Sequence, residues 1–81
     1  MAEVQVLLEK ADPNMTEGTV LDVLRKEGDH VSAGDILANV ETEKVVIEVE
    51  AKSTGVLKKI LVKPGDMVPV AAPIAIIETV D

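Results

Sequence analysis

Residues Gly18-Thr-Val-Leu-Asp-Val-Leu-Arg-Lys-Glu-Gly28-Asp-His-Val31 return 37 positions further on as Gly55-Val-Leu-Lys-Lys-Ile-Leu-Val-Lys-Pro-Gly65-Asp-Met-Val68. The match runs on, because Ile36-Leu-Ala-Asn-Val-Glu-Thr42 falls on Pro73-Ile-Ala-Ile-Ile-Glu-Thr79. Turn residues, apolar runs and a closing Glu-Thr recur in one order, which reads as two copies of one unit. Two copies are too few for a solenoid. The sequence therefore predicts a single domain over residues 1–81, with pseudo-repeats at about 16–42 and 53–79 that interlock about a pseudo-two-fold, each covering the other's apolar face.

Within each copy the apolar period is near two. Val45, Ile47 and Val49 alternate with Val46, Glu48 and Glu50, and β-branched residues dominate. Gly28-Asp29 and Gly65-Asp66 mark tight turns, while Pro13, Pro64, Pro69 and Pro73 stand where a helix could not continue. Strands are expected near 3–8, 19–25, 36–41, 45–50, 56–62 and 73–78, with shorter ones around Val31 and Val68. Leu21, Leu24 and Arg25 have a partly helical spacing, but Thr19, Val20 and Val23 favour a strand. The fold class that follows is all-β, a flattened barrel or sandwich of two roughly four-stranded antiparallel sheets.

Composition narrows the function. The chain has 81 residues and no Phe, Tyr or Trp, so its core must be built from Val, Ile, Leu, Ala and Met, and aromatic stacking platforms are excluded. A formal charge of −7 disfavours nucleic acid, whose binding depends on Lys and Arg neutralising phosphates. No cysteine is present, which removes disulfides, thiolate metal sites and cysteine nucleophiles. No apolar run has the length of a membrane span, and the N-terminus lacks the pattern of a signal peptide. A cytoplasmic location in a bacterium or archaeon, or a mitochondrial matrix, is expected. One His and two Ser residues offer no nucleophile-base-acid set, so no catalytic residues are assigned. His30 has Met67 as its counterpart and no second ligand beside it, and reads as an exposed turn residue with no metal role. Met15 reads as a packing residue. The glycines lack the lysine-serine pair of a phosphate loop and are explained by turn geometry.

The two halves differ at their ends. After Glu41-Thr42 the sequence continues through Glu43-Lys44 into a further strand, whereas after Glu78-Thr79 only Val80-Asp81 follow, so Lys44 corresponds to Asp81. A two-fold relation would set the Lys44 hairpin at the opposite end of the molecule from the C-terminus. Periodicity alone does not find this turn, because Glu-Thr-Glu-Lys contains no Gly, Pro or Asn and reads as continuous strand.

Val40-Glu-Thr-Glu-Lys-Val-Val-Ile-Glu-Val49 resembles the lipoylation motif of lipoyl domains in the dihydrolipoamide acyltransferase component of 2-oxo acid dehydrogenase complexes. Met15-Thr-Glu-Gly18, Lys26-Glu-Gly-Asp29 with Val31, Gly55-Val-Leu57 and Lys63-Pro-Gly-Asp66 extend the resemblance over nearly the whole chain. In that family the modified lysine sits at a hairpin tip, with an acid three residues before it and a glycine eleven after. Here those positions are Lys44, Glu41 and Gly55. The resemblance implies that Lys44 carries covalent lipoic acid, and that Glu41, Thr42, Glu43, Val45 and Gly55 serve recognition. It implies as partners a lipoate ligase or lipoyl transferase, a thiamine diphosphate-dependent dehydrogenase, the acyltransferase core and dihydrolipoamide dehydrogenase, with the isolated domain monomeric. The arm would accept acyl groups from the first enzyme, pass them to coenzyme A and be reoxidised by thiol–disulfide exchange.

Two positions depart from the family pattern. Glu43 replaces the commoner Asp and keeps the charge on a longer side chain, and Leu8-Glu9 replaces an early Met-Pro. The cues for the 2-oxo acid conflict, since Met15-Thr-Glu-Gly18 leans toward pyruvate, branched-chain or acetoin complexes and Val45-Val46 with Glu48 toward 2-oxoglutarate. The absence of a linker after Asp81 suggests a domain excised from a larger acyltransferase. Rival readings are a biotin carboxyl carrier domain, whose usual signature is Met-Lys-Met, the longer carrier of glycine cleavage, and an unmodified structural barrel-sandwich module.

Overall fold

Period-two patterning becomes eight strands in the computed structural model, which describes residues 2–79. They are β1 (Ala2–Leu7), β2 (Glu17–Val23), β3 (His30–Val31), β4 (Ile36–Glu41), β5 (Val46–Glu50), β6 (Gly55–Ile60), β7 (Met67–Pro69) and β8 (Pro73–Thr79). Two four-stranded sheets result, ordered β1-β8-β6-β3 and β5-β4-β2-β7, and every pairing is antiparallel. No helix occurs among the described residues. The body measures 38 × 22 × 17 Å, the flattened shape of two sheets stacked face to face.

The repeat persists down to the register. In the second sheet Thr19 faces Glu41, Val20 faces Val40, Asp22 faces Asn39 and Val23 faces Ala38; 37 positions on, Val56 faces Glu78, Leu57 faces Ile77, Lys59 faces Ile76 and Ile60 faces Ala75. Both ladders shift at the same step, skipping Leu21 in one and Lys58 in the other. The turns repeat as well. Gly28 and Gly65 adopt φ of 96° and 94°, a region that costs glycine little for want of a Cβ. In each turn an aspartate side chain, Asp29 or Asp66, accepts from the backbone N–H of Lys26 or Lys63 at 2.9 and 3.0 Å.

These turns also lock the halves together. Gly28 N donates to the Leu57 carbonyl at 2.7 Å, and Gly65 N donates to the Val20 carbonyl at 2.8 Å, so each turn is anchored on the other repeat's strand. The core is shared in the same way. Val6, Leu57, Ile74, Ala75 and Ile77 come from one sheet, Val20, Leu37, Ala38, Val40 and Val49 from the other, and all are buried. Leu8, Met15 and Ala51 close the sandwich from its connections. Each fully buried Val, Leu or Ile contributes about 1.5–3 kcal/mol by leaving water, which is how a chain without aromatic residues sustains a core.

Several strand limits differ from the expectation by one or two residues: β2 begins at Glu17 instead of 19, β6 runs from Gly55 to Ile60 instead of 56–62, β1 starts and ends one residue earlier, and β8 ends one residue later. β2 ends at Val23, because Leu24 keeps one bond to the Leu37 carbonyl at 2.8 Å before the chain enters the Lys26–Asp29 turn and leaves Arg25 outside the ladder. β5 begins at Val46, because the amide and carbonyl of Val45 are both taken by Thr42. Asp81, whose position was expected opposite the Lys44 hairpin, lies outside the described residues.

Candidate functional site

Lys44 stands exposed in the four-residue turn joining β4 to β5. Glu41, the last residue of β4, pairs with Val46, the first of β5, so the turn is held at its base by the β4–β5 ladder. The tip has no glycine and no positive φ. Thr42 closes it. Its backbone N–H and its hydroxyl both donate to the Val45 carbonyl at 2.8 Å, and Oγ1 accepts from the N–H groups of Val45 at 3.1 Å and Lys44 at 3.3 Å. A side chain bonding to nearby backbone in this way makes a turn where no turn residue is present.

Glu41, Glu43 and Lys44 are exposed and Thr42 is half-buried. Val45 and Val46 are 50% and 53% exposed, an apolar step beside the lysine where the adjacent strand positions carry Glu48 and Glu50. Among the described residues Lys44 forms no salt bridge. Other lysines do: Lys52 holds Glu9 at 2.8 Å, and Lys58 is paired with Glu3 and approaches Glu78 at 3.9 Å. Hydrogen bonding and then charge attraction from Glu9 raise the pKa of Lys52, and Glu3 does the same for Lys58.

Gly55, expected among the recognition residues, lies in the other sheet, paired with Val31 and Thr79. It is buried, and a Cβ there would collide with the carbonyl oxygen of Glu78 and sit 3.1 Å from Ile77 Cγ2. Its position answers to packing of β6 on β8. The glycine that borders Lys44 is its repeat counterpart, Gly18. A cleft of about 340 Å³ separates the hairpin from the 12–19 segment, with Asp12, Met15, Glu17 and Gly18 on one wall and Glu41 and Lys44 on the other. The loop is shaped from within, since Asp12 accepts from Asn14 N at 2.8 Å and the buried Met15 sulfur accepts from Ala11 N at 3.3 Å. Sequence reasoning matched Met15–Gly18 to the family's early loop but did not place it beside Lys44. The signal available was the Thr19–Glu41 pairing implied by aligned apolar patterns.

An exposed amine on a stiff turn, flanked by acids, suits covalent attachment of a group that must reach other surfaces. Known proteins share the fold and much of the sequence. The family model described as "Biotin-requiring enzyme", that of biotin–lipoyl domains, matches residues 5–77. The chain is 43% identical over 75 residues to the pyruvate dehydrogenase E1 component subunit beta of Rhizobium meliloti, covering 91% of this chain and 16% of that one. It is 48% identical over 62 residues to the dihydrolipoyllysine-residue acetyltransferase component of the pyruvate dehydrogenase complex of Zymomonas mobilis, covering 76% of this chain and 14% of that one. The chain thus spans a small part of the curated relatives it matches. Among solved structures, the lipoyl domain of the 2-oxoglutarate dehydrogenase complex from Azotobacter vinelandii superposes with a TM-score of 0.70 at 26% identity, covering 91% of this chain and 96% of that one. Urea carboxylase from Kluyveromyces lactis gives 0.82 at 31% identity, over 96% of this chain and 6% of that one. Two four-stranded sheets, a lysine-bearing hairpin and a match over residues 5–77 lead to one assignment: the chain belongs to the biotin–lipoyl domain family and has the fold of a lipoyl domain.

Proposed function

We propose that this chain is the lipoyl carrier domain of a dihydrolipoyllysine acyltransferase in a 2-oxo acid dehydrogenase complex, with Lys44 as the attachment point, residues 1–81 acting as one carrier unit, and pyruvate as the parent substrate. The observation that carries the reading is Lys44 itself, exposed at the tip of a hairpin whose turn is fixed by its own hydrogen bonds. The choice of pyruvate rests on the two relatives at 43% and 48% identity. The residues present fit the group, because a covalent arm needs a reachable amine on a rigid support and no enclosing pocket.

Lipoic acid supplies, when bound, a dithiolane that takes up acyl groups and electrons. The protein's own part is smaller and definable. Lys44, as the free amine, attacks the carbonyl carbon of an activated lipoyl group; an amide bond forms, the activating group departs with its bonding electrons, and the nitrogen sheds its proton to solvent. The charge of the side chain is lost in the process. Glu41 and Glu43, three residues and one residue before Lys44, present carboxylates that steer cationic partner surfaces toward the arm, while Val45 offers an apolar contact. Thr42 and Gly55 hold the frame. The partners in this reading are a lipoate ligase or lipoyl transferase, the thiamine diphosphate-dependent dehydrogenase, the acyltransferase core and dihydrolipoamide dehydrogenase, in a bacterial cytoplasm or a mitochondrial matrix. Carriage gains from tethering, which keeps the arm at an effective concentration on the order of millimolar.

The biotinyl reading draws on the family description and the carboxylase neighbour. Glu43 and Val45 stand where the biotin signature has methionines, which favours lipoyl. Intact mass spectrometry decides. The chain incubated with lipoate ligase, lipoic acid and ATP is expected to gain one lipoyl group, Lys44→Arg none, and biotin ligase with biotin is expected to add nothing. Modification of Lys44→Arg, or a biotin increment on the wild type, would refute the assignment.

A further inference from the structure

We infer that Thr42 is a positioning residue for the attachment reaction, acting through its hydroxyl on the backbone of Lys44 and Val45; this deepens the carrier reading and rests on it. The turn has an unusual problem. Its tip, Glu43-Lys44, has neither the positive φ of the hairpin turns whose twist matches a β-ladder nor a residue that favours turning. In a plain β-turn the N–H of the fourth residue bonds the carbonyl of the first. Here the Val45 N–H goes instead to Thr42 Oγ1 at 3.1 Å. The same oxygen accepts from Lys44 N at 3.3 Å, and its proton is given to the Val45 carbonyl at 2.8 Å. One donor and two acceptor positions are all that a hydroxyl possesses, and all are spent on the two residues that aim the lysine.

The second repeat supplies an internal control. Thr79, the counterpart of Thr42, donates its hydroxyl to the Ala2 carbonyl at 3.2 Å, where Ala2 faces it across β1–β8. The outward bond thus occurs wherever this Thr closes the ladder, with or without a turn. Besides that outward bond, Thr42 Oγ1 accepts the N–H groups of Lys44 and Val45, the two residues that present the lysine. Thr42 does not touch the Lys44 amine in these bonds. It restricts the direction in which the side chain leaves the backbone, so that an enzyme closing over the turn meets the amine within a narrower range of positions and loses less backbone freedom on binding.

Three variants separate this from a merely structural role. Thr42→Val keeps size and strand preference and removes the hydroxyl, Thr42→Ser keeps the hydroxyl alone, and Thr79→Val removes the counterpart. Backbone amide order parameters from NMR relaxation are expected to fall at Lys44 and Val45 in Thr42→Val, to return in Thr42→Ser and to stay unchanged at those residues in Thr79→Val. With lipoate ligase, Thr42→Val is expected to lose about tenfold in kcat/KM, as expected when one or two hydrogen bonds that orient a reacting group are removed; Thr42→Ser is expected within about twofold of wild type. Unchanged order parameters in a folded Thr42→Val, or failure of serine to restore them, overturns the inference whatever the ligase does. If the order parameters move as stated and the wild type takes no lipoyl group, it is the carrier reading that fails. Loosened amides with an unaltered ligase rate also overturn the inference, leaving Thr42 a turn residue only.

Discussion

Thr42 and Val45 are joined twice at one atom: the Thr42 backbone N–H and the Thr42 hydroxyl both donate to the Val45 carbonyl oxygen at 2.8 Å. That double closure lets a sequence of strand-forming and charged residues reverse direction at Lys44. It also separates the work of the site, since Thr42 holds the turn while Glu41, Glu43 and Val45 are left exposed.

Glu43 touches no other side chain through a hydrogen bond or salt bridge among the described residues, so its removal should leave the fold alone. Glu43→Ala is expected to change stability by less than about 0.5 kcal/mol while slowing reductive acylation by the thiamine enzyme several-fold. Thermal melts and single-turnover acylation of the lipoylated domain test this together. A fall in melting temperature with an unaltered rate would reassign Glu43 to the fold.

Gly18 and Gly55 occupy the same place in the two repeats but meet different obstacles. A Cβ at Gly55 runs into the Glu78 carbonyl, which is fixed in the ladder, whereas at Gly18 it meets the Val40 Cγ1 methyl, with the Glu41 carbonyl at 3.3 Å. Gly55→Ala should therefore cost about 3 kcal/mol, the upper end for overpacking, and Gly18→Ala about 2 kcal/mol, since Val40 is buried and β-branched and yields only by displacing its neighbours, though more readily than a ladder carbonyl. Urea denaturation of the two variants measures both. Equal losses would mean that β8 yields as readily as Val40.

Ala71 has φ of 74°, the counterpart of Gly34 at 96°, and makes the matching bond, Ala71 N to the Leu8 carbonyl at 2.8 Å where Gly34 N reaches the Ala51 carbonyl at 2.9 Å. The second repeat keeps the first repeat's turn without its glycine. A left-handed alanine costs about 1–2 kcal/mol, and glycine returns part of that gain through its freer unfolded chain. Ala71→Gly is expected to stabilise the domain by about 0.5 kcal/mol, seen as a raised urea midpoint at constant slope.

Lys52 and Lys58 have folded pKa values raised above 10.5 by Glu9 and Glu3. A raised value on a cation means stabilisation that is fully present below pH 10.5 and is lost as pH climbs through the higher folded value. Both side chains are exposed, so the effect is small and screened by salt. Melting temperature recorded from about pH 9 to about pH 12 at low salt should decline in that alkaline window, and less so in the Lys52→Met, Lys58→Met double variant. An identical decline in the variant would assign it to other groups.

The sequence by itself determined the strand count, the two-fold repeat and the residue at which the repeats diverge, because period-two patterning and turn glycines are local and are printed twice. Val20 and Leu57, or Gly28 and Gly65, are interchangeable readings of one rule. The lysine-bearing turn was legible by resemblance and by the break in the repeat, not by propensity, since nothing in Glu-Thr-Glu-Lys favours a turn. Tertiary structure alone decided that the Thr42 hydroxyl makes that turn, that Gly55 packs on the Glu78 backbone in the sheet that does not carry Lys44, and that the 12–19 segment lines a cleft beside Lys44. The physical reason is the same in each case. Alternation states which way a residue faces, whereas the atom it meets depends on which distant strand pairs with it and in what register.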